Sequence, residues 1–332
     1  MNLSATELTL FWAGVIALAI LVYVVLDGFD LGVGILFGGA QSEAMREQMM
    51  NTIAPVWDGN QTWLVVIGAG LFAAFPVVYA VFLGAYYIPV LLLLIGLIFR
   101  GVAFEFRHRT RRMRGFWDKG FFWGSVAAAF VQGAAIGAML KGIPVRDGQF
   151  AGQVFDWLRP LPLLAGVGLV LGYALLGAGW LVLKSEGLLR DWAYARIPYL
   201  AGAVLLMLVL AIAFTLERSE VARSQWYQRR FGLAFPLLAV AALLVTMASA
   251  RWRRDRVPFA ATVLFFVCAY LTLGTMFWPY MIPYEVTVYN AAAPESSLRF
   301  FFWGGLIVLP LITGYTLYVY WVFRGKVHTG YG

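Results

Sequence analysis

Residues 8–36 read L-T-L-F-W-A-G-V-I-A-L-A-I-L-V-Y-V-V-L-D-G-F-D-L-G-V-G-I-L, and this stretch decides the fold. No charge interrupts it from Leu10 to Leu26; then Asp27 and Asp30 fall three residues apart. A bilayer core needs about 20 consecutive apolar residues in a spanning helix. Only helices and closed barrels satisfy their own backbone in lipid. The run is therefore predicted to be a membrane helix with two acids near its end.

The rest of the chain repeats the pattern. Of 332 residues, 62% are hydrophobic and 13% are charged, against about 45–50% and about 25% in an ordinary soluble domain. Nine spans are predicted, at roughly 8–36, 61–81, 84–106, 119–140, 161–183, 197–216, 232–250, 258–281 and 300–323. The fold class is an all-α polytopic membrane protein. Residues 1–332 make a single integral membrane domain, with candidate repeat halves at about 1–140 and 160–281 and a last helix at about 300–323. A faint echo links L-V-Y-V-V-L-D-G (21–28) with L-G-Y-A-L-L-G-A (171–178). Internal repeats of this kind recur in membrane proteins.

The net charge of +8 does not point to nucleic acid, because the basic residues lie in the connections. With the N-terminus outside, 17 of the 25 Lys and Arg fall on inner connections and 8 on outer ones. That bias supports an outer N-terminus and an inner C-terminus; the 217–231 connection, rich in arginine, fits it least. The N-terminal M-N-L-S-A-T-E lacks the basic head of a cleavable signal peptide. The single cysteine, Cys268, forms no intrachain disulfide. Trp12, Trp57, Trp63, Trp278, Tyr280, Tyr284, Trp303, Tyr318, Tyr320 and Trp321 sit near expected span ends and read as interfacial anchors.

The informative residues are charges placed where lipid should be. A carboxylate at mid-membrane costs about 2.5–3.5 kcal/mol on insertion scales, so such residues mark function or a partner. Asp27 and Asp30 share one helix face by their spacing. Asp58 lies in W-D-G-N-Q-T-W (57–63), just before the second span. Arg100 and Glu105 lie in F-R-G-V-A-F-E-F-R (99–107) at the end of the third. Topology gives all five a common depth on the inner side, and such a set is suited to holding and passing protons. The plainer reading of the acids is helix capping and ion pairing, and Asp58 before Gly-Asn-Gln fits a helix N-terminus. Gly28, Gly32 and Gly34 imply close helix packing or a local opening of the helix.

Histidine is nearly absent: His108 lies in a basic connection and His328 in the tail. Haem iron in a membrane span usually takes His, or His with Met, and no span here contains His. No phosphate loop, nucleophile elbow or dinucleotide fingerprint occurs. Redox chemistry, if this chain serves it, needs a partner that holds the metal.

D-G-F-D-L-G-V-G (27–34), N-T-I-A-P-V-W-D-G-N-Q-T-W-L (51–64), L-F-A-A-F-P-V-V-Y-A (71–80), F-R-G-V-A-F-E-F-R and M-F-W-P-Y-M-I-P (276–283) resemble subunit II of cytochrome bd quinol oxidases. The resemblance covers essentially the whole chain, and its wording at 100–107 is similar to the cyanide-insensitive branch. It implies nine helices, as two four-helix bundles plus one, in a prokaryotic plasma membrane. It implies a heterodimer with a haem-bearing subunit I that carries two haems b, one haem d and the quinol site. Small accessory subunits are compatible with it. The implied complex oxidises quinol and reduces oxygen to water with protons drawn from the cytoplasm. Asp58 and Trp57 match a pair that lines a proton route, and Asp27 and Asp30 match the acidic pair of the first helix. Arg100 and Glu105 match a charged turn facing haem propionates or the relay; Asn60 and Gln61, with Trp57 and Arg100, are candidates for the haem edge at the interface. The family also implies a structural quinone, which no motif here places. The alternative reading is a proton-coupled transporter using Asp27, Asp30 and Asp58; a third is a purely structural subunit.

Overall fold

The computed structural model describes residues 3–107, 109, 112–218 and 233–327. Its helices are α1 (Ala5–Phe37), α2 (Glu43–Ile53), α3 (Trp57–Ala74), α4 (Pro76–Phe106), α5 (Arg114–Lys141), α6 (Pro160–Lys184), α7 (Gly187–Arg218), α8 (Ala234–Trp252), α9 (Arg256–Phe277), α10 (Val288–Ala291) and α11 (Glu295–Val322). Eight of the described helices are long and apolar enough to cross a membrane. The remaining expected span is α3. Its first six residues include Asp58, Asn60, Gln61 and Thr62, which dilutes its hydropathy.

Local chemistry sets the ends. Ser4 begins α1: its hydroxyl accepts from the Glu7 amide while the Glu7 carboxylate accepts from the Ser4 amide, the reciprocal box that satisfies two free donors. Pro76 fixes the boundary between α3 and α4, since it cannot donate to a continuing helix. The expected spans 61–81 and 84–106 therefore become 57–74 and 76–106, with a bend at Tyr86 where φ/ψ leave the helical region. Pro279 ends α9 at Phe277, short of the expected 281. In contrast, α7 runs through Pro198 and begins ten residues before the expected 197. Its polar first turns are held by packing, with Ala193, Tyr194 and Ile197 buried. The sequence reading contained no α2. It is too short to span, but Met45, Met49, Met50 and Ile53 make one buried face.

Helix contacts separate α1, α3, α4 and α5 from α6, α7, α8 and α9, with the two groups joined where α1 and α5 meet α6. The α1–α6 seam is very tight. A Cβ on Gly32 would overlap the Tyr173 carbonyl, and one on Gly177 would overlap Gly32. The glycines thus serve close packing, and α1 stays helical throughout. α11 lies outermost against α1 and α3, and Phe300, Ile307, Leu311 and Leu317 on it are exposed.

Two expected anchors are core residues instead. Trp12 (2% exposed) and Trp63 (6%) are buried. Trp12 donates to the Leu298 carbonyl, which ties α1 to the start of α11. Trp303, Tyr318 and Trp321 are exposed, as an interfacial position requires. Arg223, Arg229 and Arg230 of the arginine-rich connection lie outside the described residues, as do His108 and His328.

A buried acid–arginine cluster as the candidate functional site

Asp27, Asp30 and Arg100 meet between α1 and α4, with exposures of 0%, 0% and 1%. The three-residue spacing turns both acids to one side of α1. The close approach of α4 to α5 delivers Arg100 to them; a Cβ on Gly124 would lie 2.5 Å from the Gly96 carbonyl oxygen. Arg100 Nη1 donates to Asp27 Oδ1 at 2.8 Å, and Arg100 Nη2 stands 3.8 Å from Asp30 Oδ2. Asn60, 1% exposed in the first turn of α3, donates to Asp30 Oδ2 at 2.7 Å and to the Leu26 carbonyl at 3.3 Å. The Tyr320 hydroxyl of α11 donates to Asn60 Oδ1 at 3.0 Å.

The cluster is polar beyond what the protein satisfies. Asp27 Oδ2, Asp30 Oδ1, Arg100 Nε and Arg100 Nη2 are buried without a protein hydrogen-bond partner. Two carboxylates face one guanidinium, so the unit also carries unbalanced negative charge when both acids are ionised. Buried groups of this kind are normally paired or hydrated. One turn before Asp27, Tyr23 accepts from Gln132 Nε2 at 3.1 Å, and Tyr173 donates to Gln132 Oε1 at 2.9 Å. A second polar centre therefore continues along α1 into the junction with α5 and α6.

The other sequence candidates sit elsewhere. Asp58 and Glu105 are exposed and outside the cluster. Asp58 is not the cap of α3: the cap is Val56, which has no side-chain bond, and Asp58 lies in the first turn. There it still faces the positive end of the helix dipole. Trp57 is half-buried against α4, with its ring 5.2 Å from that of Phe104 and beside Gly101. Gln61 is half-buried, and its Nε2 has no partner. Asn60 and Arg100, expected near the haem edge at the interface, are buried beside the two acids. Tyr320, Tyr23, Gln132 and Tyr173 were not singled out from the sequence as site residues. The lone Gln132 within an apolar segment was the available signal for the second centre.

The donors gathered here are carboxylates, an amide and a guanidinium, none of which is an axial haem ligand. Among the described residues no His, Cys, Asp and Glu group is placed to hold a metal ion. The residues present do not fit a haem iron.

Long apolar helices around a sealed ionic cluster define a multi-pass membrane protein with charge buried inside its bundle. Residues 8–323 match the family described as cytochrome bd terminal oxidase subunit II. The chain is similar to the cytochrome bd-I ubiquinol oxidase subunit 2 of Escherichia coli, at 31% identity over 95% of this chain and 94% of the relative. It is 30% identical to the cytochrome bd ubiquinol oxidase subunit 2 of Bacillus subtilis, over 95% and 96%. A chain of the bd oxidase from Geobacillus thermodenitrificans shares the fold, with a TM-score of 0.74 at 18% identity, covering 96% of this chain and 99% of that one. The chain belongs to the family of cytochrome bd terminal oxidase subunit II, and is an inner-membrane protein. The matches give no support to the proton-coupled transporter.

Proposed function

We propose that this chain is the subunit without haem ligands in a quinol:oxygen oxidoreductase, and that it gives the complex a proton route from the cytoplasm. It packs beside a haem-bearing subunit I, which holds two haems b, one haem d and the quinol site. The haems supply electron transfer and oxygen reduction in that partner. This chain buttresses the partner and carries protons toward it. The route runs between the exposed acids Asp58 and Glu105 and the buried Asp27–Asp30–Arg100 cluster, with Asn60 on α3 as the link. Consuming protons from the inner side while quinol releases its protons outside makes the reaction electrogenic.

The observation that carries this reading is the sealed cluster itself. Burying two acids with one arginine, and leaving four polar atoms without protein partners, costs stability. A purely structural core would be better served by apolar residues of the same volume. Asn60, two residues after Asp58 on the same helix, joins that exposed acid's turn to Asp30.

The test is oxygen consumption by the purified complex carrying Asp58→Asn or Asp30→Asn, with haem absorbance as the measure of assembly. Both variants are expected to keep the haem spectrum and to lose turnover by on the order of tenfold or more, the low end of a general acid–base contribution. Wild-type turnover in both would leave the chain a structural subunit.

A further inference from the structure

A small cleft lies between the first turns of α3 and the last turns of α11. Pro55, Gly59, Asn60, Thr316, Val319 and Tyr320 are among the residues that line it. It is partly open to the surroundings and has room for about one water molecule. Asn60 therefore has two faces: its amide nitrogen bonds buried Asp30, while its oxygen accepts from Tyr320, which lines the cleft. Asn60 thus lines the cleft and also bonds a carboxylate of the cluster whose polar atoms lack partners.

We propose that the α3–α11 cleft is a gated water entrance to the Asp27–Asp30–Arg100 cluster, with the Tyr320–Asn60 hydrogen bond as its gate. Water admitted there hydrates Asp27 Oδ2, Asp30 Oδ1 and the free Arg100 donors, and so links the cluster to solvent. The inference rests on the proton route proposed above and names its point of access. Tyr320 and Asn60 are positioning residues here, since they order the water path and do not touch substrate.

The position of the gate is set by the end of α11. Lys184, buried at the end of α6, donates to the carbonyls of Phe323 and Gly325. The Val327 amide donates back to the Lys184 carbonyl at 2.8 Å. Lys326 pairs with Asp255. These contacts hold the last turn of α11, and with it Tyr320, over Asn60.

The experiment uses the assembled oxidase. Thr316→Trp plugs the cleft, Tyr320→Phe removes the gate's hydroxyl, and Leu311→Trp adds the same bulk on an exposed part of α11. Turnover is read in H2O and D2O, with haem absorbance as the assembly check. Thr316→Trp is expected to slow turnover by about tenfold and to enlarge the solvent isotope effect, because proton delivery becomes limiting. Tyr320→Phe is expected to change the isotope effect at normal haem content, and Leu311→Trp to match wild type. If Thr316→Trp fails to assemble, Tyr320→Phe decides. Wild-type turnover and isotope effect in both cleft variants, beside a slow Asp30→Asn, would overturn the entrance and leave the proton route standing. Wild-type behaviour in Asp30→Asn as well would overturn both.

Discussion

Among the described residues two arginines are fully buried, and each meets two carboxylates, yet they lie in different surroundings. Arg100 faces Asp27 and Asp30, both sealed. Arg107, capping the end of α4, bonds Asp118 at 2.6 Å and also Glu43, and stacks over Phe37. Its acids are 18% and 42% exposed. At the rim, water hydrates the carboxylates and the arginine acts as a clamp joining α2, α4 and α5. In the inner trio both acids are wholly buried, and both acids and the arginine keep unpartnered atoms, against Arg107 Nη1 alone in the rim trio. The two clusters thus do different work at different depths: the rim fastens the fold, with Glu43 shared between Arg107 and Arg114, while the inner trio sets two acids against one guanidinium.

The largest expected effect separates the two arginines directly. Arg100→Met leaves two sealed acids without a counter-charge, a loss of about 3–5 kcal/mol in comparable buried pairs. Arg107→Met leaves acids that turn to solvent and is expected to cost less than half of that. Thermal unfolding of the purified complex, with haem retention, measures both; equal losses would break the distinction by depth.

The next effect is on rate. Asp30→Asn preserves shape and is expected to slow oxygen consumption by on the order of tenfold or more. Glu43→Gln, its rim counterpart, is expected to leave turnover within about twofold, because its bonds to Arg107 and Arg114 fasten helices at the rim. A slow Glu43→Gln variant would place the rim trio in the proton route. Smaller again is Gln132→Leu, which strips the hydroxyls of Tyr23 and Tyr173 of their shared partner. Leaving buried polar groups unpaired costs about 1–3 kcal/mol, so a lower melting temperature with normal haem content is expected.

The smallest effect is acid-dependent and lies in the clamp on the tail. Burial alone would raise the Asp255 carboxyl; bonds from Lys326 and Tyr194, with Arg190 nearby, outweigh it and hold that group below its ordinary value. A carboxyl lowered in the folded state stabilises it above the unfolded value and loses that contribution as pH falls through the folded one. A spin label at residue 327 is expected to gain mobility only as pH falls below the ordinary carboxylate range. Lys326→Ala should give that mobility already at neutral pH.

Much of this was legible in the sequence, for definite reasons. Uninterrupted apolar runs announce α1, α4, α6 and α9 because lipid tolerates little else. The spacing of Asp27 and Asp30 set their common face, and the rarity of charge marked Arg100. What the sequence hid depends on tertiary contact. Nothing local says that Arg100 reaches α1 and not a partner subunit, or that Trp12 is core and not interface. Asn60 and Tyr320 are 260 residues apart, and only the docking of α11 on α3 brings them together. Helix α2 escaped notice because eleven residues with a methionine face resemble a connection more than a span.

Proton transfer from the cytoplasmic side through the sealed acids to the oxygen-reducing partner is what separates a proton route from a structural role. Its most direct test is proton uptake when the fully reduced complex meets oxygen, followed with a pH indicator, comparing wild type with Asp30→Asn. Uptake slowed by on the order of tenfold in the variant, with haem content and electron input unchanged, is the predicted result. Uptake at the wild-type rate would contradict it.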